Sequence, residues 1–144
     1  MKKILAVLGL LVLAAGAFVG YKMFLEPVPD GLDLATTRTT AAGHFEVSIA
    51  PEDPNYQRNT LHTWIATITT PDGTPVEGAE IAIDGGMPQH GHGLPTSPQK
   101  TKYLGDGRYK IEGVRFHMRG WWEFKLAITA GDVSDNITFN LVMN

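Results

Sequence analysis

Cysteine is absent from this sequence. That absence excludes disulfides, thiolate catalysis, thiolate metal sites and a lipid-modified cysteine together. Any metal held here must rest on His, Met, Asp or Glu. Serine is scarce as well: Ser48, Ser97 and Ser134 are the only three, and none stands in a Gly-x-Ser-x-Gly setting. With no acidic residue beside the histidine-rich loop to orient a base, nucleophilic hydrolysis has no starting point. An excess of positive charge is missing too. Lys2, Lys3 and Lys22 aside, nine Lys and Arg face fifteen Asp and Glu, a balance of −6. Such a body lacks the basic patch that nucleic-acid binding needs. Beyond residue 25 no segment repeats its apolar residues at the helical period, so no phosphate-cradling loop can open a helix.

What is present begins with an address. Lys2 and Lys3 precede Ile4–Tyr21, eighteen residues without a charge. A basic start before such a run reads as a secretory signal peptide or a membrane anchor. Ala15-Gly16-Ala17 offers small residues for cleavage. The apolar run nevertheless continues through Phe18, Val19, Tyr21 and Met23-Phe24-Leu25, which favours an uncleaved anchor over residues 1–25. Either way the body is exported, with Lys2 and Lys3 left inside. The expected location is the inner membrane with the domain facing the periplasm. Residues 26–43, with Pro27, Pro29, Asp30-Gly31 and the Thr36–Thr40 run, read as a flexible tether.

From residue 44 to 144 the hydrophobic period is two. Phe45, Val47 and Ile49 alternate with polar residues, as do Trp64, Ala66 and Ile68, then Ala79, Ile81 and Ile83. A short strand near 102–104 and another at 109–111 flank the Gly105-Asp106-Gly107 turn. Trp122, Phe124, Leu126 and Ile128 form one face, and Ile137, Phe139, Leu141 and Met143 another. About seven short strands with regular turn signals, such as Pro71-Asp72-Gly73, predict an all-β fold: an antiparallel sandwich of immunoglobulin-like type.

The chemistry gathers in one loop, Gly85-Gly86-Met87-Pro88-Gln89-His90-Gly91-His92-Gly93. His90 and His92, two apart, fall on one side of an extended chain and reach one ion. Met87 adds a thioether, and imidazole with thioether selects copper over hard cations. Downstream, Val114-Arg115-Phe116-His117-Met118-Arg119-Gly120 leads into Trp121-Trp122. Adjacent side chains alternate, so one of His117 and Met118 can share that ion. Phe116 and Met118 have the inward parity, which leaves His117 outward and makes Met118 either core filler or ligand. His44 and His62, isolated at strand starts, are expected to serve surface or capping roles.

The order of these features resembles a known family. The anchor, Pro71-x-Gly73-x-Pro75-Val76-x-Gly78-Ala79, Met87-Pro88-x-His90-Gly91-His92-Gly93, Gly107-x-Tyr109 and Phe116-x-Met118-x-Gly120-x-Trp122-x-Phe124 together resemble the FixH/YtkA-like family of small exported bacterial domains. The resemblance covers roughly residues 62–141. It implies an immunoglobulin-like sandwich on the outer face of the cytoplasmic membrane and a link to copper handling, including assembly of copper-dependent respiratory oxidases. Carried over by position, the ligands it implies are Met87, His90, His92 and Met118. The expectation is therefore a membrane-tethered copper carrier or accessory factor, not an enzyme, with Cu(I) preferred over Cu(II). Its partner would be a copper-donating or copper-receiving protein. The alternative is a metal-independent interaction module that meets its partner through the loop and Trp121–Trp122.

Overall fold

The computed structural model describes residues 2–24 and 27–144. A helix, α1 (Lys2–Phe24), is followed by nine strands: β1 (Thr37–Thr39), β2 (Glu46–Pro51), β3 (His62–Thr69), β4 (Glu80–Met87), β5 (His92–Gly93), β6 (Gln99–Gly105), β7 (Arg108–Val114), β8 (Gly120–Ala130) and β9 (Val133–Met143). Among the described residues no helix is long and apolar enough to cross a membrane. The boundary between anchor and tether, at residues 25 and 26, lies outside the described residues.

The strands form two antiparallel sheets, β1-β2-β3-β7-β6 and β5-β4-β8-β9, so the chain is a β-sandwich. The period-two pattern has set the register. Trp122, Phe124, Leu126 and Ile128 on β8 are all buried, as are Ile137, Phe139 and Leu141 on β9, Trp64 and Ile68 on β3, and Ile81 on β4. Ile83 is half-exposed instead. β5 pairs with β4 only at Gly86 and Met87, so at Ile83 the strand is still the open edge of its sheet. Trp121 takes the opposite face from Trp122 and donates from Nε1 to Asn140 Oδ1 (2.9 Å).

Residues 26–43 are not a free tether along their whole length. Thr37–Thr39 pair with β2, and Ala41 N–H donates to Asn136 O. Farther upstream, Asn140 Nδ2 donates to Asp33 O (2.9 Å). Three residues were too few to show alternation in the sequence, although their partner β2 is the next strand.

A second surprise closes this segment. The Asp135 carboxylate is buried and accepts backbone N–H bonds from Ala42, His44 and Asn136, with the His44 imidazole 3.4 Å away. Burial pushes its pKa up, but the bonds from Thr40, Ala42, Asn136 and His44 outweigh burial and hold it well below the usual carboxylate range. A depressed carboxylate stabilises the fold above its unfolded pKa of about 4 and loses that contribution as pH falls below it. Asp135→Asn presents an amide N–H to donors that need an acceptor. The variant should unfold at lower denaturant than the parent at pH 7, with the gap narrowing below about pH 4. A constant gap between pH 7 and pH 3 in denaturant titrations would show that the carboxylate charge is not what matters.

Candidate metal centre

One end of the sandwich carries the histidines. β4 turns into β5 through a tight hairpin in which Met87 O accepts from both His90 N (3.1 Å) and Gly91 N (3.0 Å). Gly91 closes it at φ +65°, a conformation that side-chain-bearing residues rarely adopt. The strands then lie so close that a Cβ on Gly86 would stand 2.3 Å from His92 O. Gly86 and Gly91 are thus backbone requirements of this hairpin.

His90 and His92 come together through that turn rather than along an extended chain. Their rings stack, centroids 6.3 Å apart and planes within 20°. Met87 sits directly across the ladder from His92. Opposed residues of an antiparallel pair project to one face with Cβ atoms about 5 Å apart, so the thioether and the His92 imidazole leave the backbone on the same side. Met87 is 1% exposed, and its methyl group lies against Gly120. It is thus a core residue opposite His92.

The turn between β7 and β8 completes the cluster in a way the side-chain parity did not suggest. His117 is half-buried rather than outward. Its ring lies 6.3 Å from that of His92 and packs edge-on at 5.4 Å against Trp122. The residues between β7 and Gly120 belong to no strand, so the alternation rule had no purchase there. Met118 is half-buried against the core, and its carbonyl accepts from Trp122 Nε1 (3.0 Å).

Electrostatics favour neutral imidazole at this end. Burial, then His92, then Arg115 all push the His117 pKa below the ordinary His value, so this ring is an unprotonated donor at neutral pH. Its Nδ1 is buried with no hydrogen-bond partner, an orphan that an ion would satisfy. With metal–nitrogen bonds of about 2 Å, two imidazoles on one ion have centroids about 5–6 Å apart. Each neighbouring pair here is close to that. The three rings form a chain of pairs rather than a closed triangle. Among the described residues no three His, Asp or Glu side chains converge as they stand on one ion. Binding through all three would require the hairpin to close toward His117.

The other two histidines play no part. His62 is buried, not superficial, and its Nε2–H donates to Gln57 O (2.7 Å), pinning the loop before β3. His44 flanks Asp135.

A protein-family model described as YtkA-like matches residues 39–127, which takes in β2 through most of β8 and both histidine-bearing turns. Among solved structures, a DUF4426 family protein from Pseudomonas aeruginosa PAO1 is similar in fold, with TM-score 0.55 and 14% identity over 76% of this chain and 96% of that one. At that identity the likeness concerns the fold alone. A search of curated proteins found no match.

Proposed function

The chain belongs to the YtkA-like family, and from that premise we propose that it is an exported, membrane-tethered copper-binding protein that carries the ion to or from another protein. The observation that carries this reading is the gathering of the His90, His92 and His117 rings at one end of the sandwich, with Met87 paired to His92 across the ladder. Imidazole suits both copper states, and thioether favours Cu(I). Met118, next to His117, is the remaining thioether within the same turn. Glu123, on the strand next to β4, is bonded to Lys125 Nζ at 2.8 Å. The cluster is read as a carrier's site rather than a catalyst's.

Export rests on the basic start and the uncharged run Ile4–Tyr21, held through α1. A reporter active only outside the cytoplasm, fused after Asn144, should be active. A reporter active only in the cytoplasm at the same point would contradict export.

Cu(I) competition titration of the purified chain tests the binding reading. One ion per chain is expected, with affinity falling as pH drops toward the His range, because each imidazole must lose its proton to ligate. The depressed pKa of His117 places its proton competition below about 6.5. Absence of tight copper would favour the alternative, an interaction module. The open chain of histidine pairs and the half-exposed Trp121 support that reading.

A further inference from the structure

Gln89, in the histidine hairpin, donates from Nε2 to Pro27 O (2.8 Å). Pro27 follows the end of α1 at Phe24 by only three residues, a reach of at most about 11 Å. The hairpin is therefore held close to where α1 ends. The opposite end of the sandwich, the Gly131-Asp132 turn after β8, lies the length of that strand away, about 35 Å.

Charge marks the same end. The domain is acidic, yet three of its four unpaired cations lie together. Arg38, Lys100, Arg108, Lys110 and Lys125 have carboxylate partners. Among the described residues Arg58, Lys102, Arg115 and Arg119 have none; Lys102 lies apart on β6, and the three arginines are grouped. Arg115 Nη2 donates to Asn59 Oδ1 (3.3 Å), and Asn59 N–H donates to Phe116 O, so these contacts join the Arg58 loop to the His117 turn. Arg119 is exposed in that turn. Of the two acids ahead of Arg58 in its loop, Glu52 is bonded to Lys110, and Asp53 accepts from the backbone N–H of Asn55.

We propose that this end of the sandwich docks on an anionic bilayer surface, with Arg58, Arg115 and Arg119 against lipid phosphates and the His90–His92 hairpin facing the membrane. The proposal rests on α1 being a membrane anchor. Each arginine near an anionic surface adds attraction that decays within a Debye length. The Gln89–Pro27 bond supplies the short lead that keeps this end, and not the other, against the lipid. Copper held there would be exchanged at the membrane surface.

The absence of cysteine makes the test direct. A fluorophore is placed on Pro88→Cys, in the hairpin, or on Asp132→Cys, at the far turn, both exposed positions. The full chain is reconstituted without copper into vesicles carrying a nitroxide on a fraction of their headgroups. One set is rich in phosphatidylglycerol and the other is phosphatidylcholine alone. In anionic vesicles the label at 88 should be quenched several-fold more than that at 132. The difference should shrink in phosphatidylcholine and in an Arg58→Gln/Arg119→Gln variant. Failure of the chain to float with vesicles would overturn the anchor reading and this proposal together. Flotation with equal quenching at 88 and 132 would overturn this proposal alone. So would a quenching difference that ignores both lipid charge and the arginine changes. The copper reading is untouched by any of these results.

Discussion

Trp122→Ala should lower the unfolding free energy of the sandwich by about 4–6 kcal/mol. The side chain is fully buried, with Phe116 at 5.2 Å on one side and His117 at 5.4 Å on another. Truncating a buried Trp costs about 3–5 kcal/mol in lost burial and residual cavity. The change also leaves the Met118 carbonyl without its N–H donor, which adds about 1 kcal/mol. Domains of this size have about 5–15 kcal/mol in all. Trp122→Phe keeps most of the volume and loses only the hydrogen bond and part of the ring, so it should fold. Denaturant titrations of the three proteins decide the matter. A loss below about 1 kcal/mol for the alanine variant would mean that the two sheets do not depend on this side chain.

That burial was legible beforehand because β8 and β9 are long. Eleven residues each give the alternation enough repeats to fix which face is inside, and a slip of one residue would have exposed every large side chain at once. Short elements carry no such redundancy. β1 has three residues and β5 has two, and each exists because a neighbouring strand pairs with it across a turn. The Asp135 carboxylate shows the same limit: its donors at Ala42 and His44 lie more than ninety positions away.

The histidines were legible in part for a similar reason. His90, Gly91 and His92 are adjacent in sequence, so their proximity needed no fold, although a hairpin and not an extended strand supplies it. Met87 was visible as a neighbour, but its place in the core opposite His92 comes from the ladder pairing. His117 could not be assigned. It sits in a turn where side-chain parity has no meaning, and only the packing on Trp122 aims its ring at His92.

The second large effect concerns that cluster. Replacing a ligand should cost more than the roughly 10–100-fold lost when a mere outer-shell partner is removed. His90→Ala and His92→Ala are each expected to lower Cu(I) affinity by more than tenfold. Both rings are at least partly open to solvent, so neither change removes much core. Met87→Leu keeps volume and apolarity and should lower Cu(I) affinity less. Because Met87 is buried, its thermal midpoint is read alongside, and a volume-conserving swap should move stability by less than about 1.5 kcal/mol. Zn(II) should bind more weakly than Cu(I), since a thioether adds little for a borderline ion without thiolate.

Copper binding through the hairpin is tested most directly by Cu(I) competition titration of the parent chain beside the His90→Ala/His92→Ala double variant, both checked for the native fold by circular dichroism. A parent that binds one ion tightly and a double variant weakened by more than a hundredfold is the expected result. Equal Cu(I) affinity in the two folded proteins would contradict it.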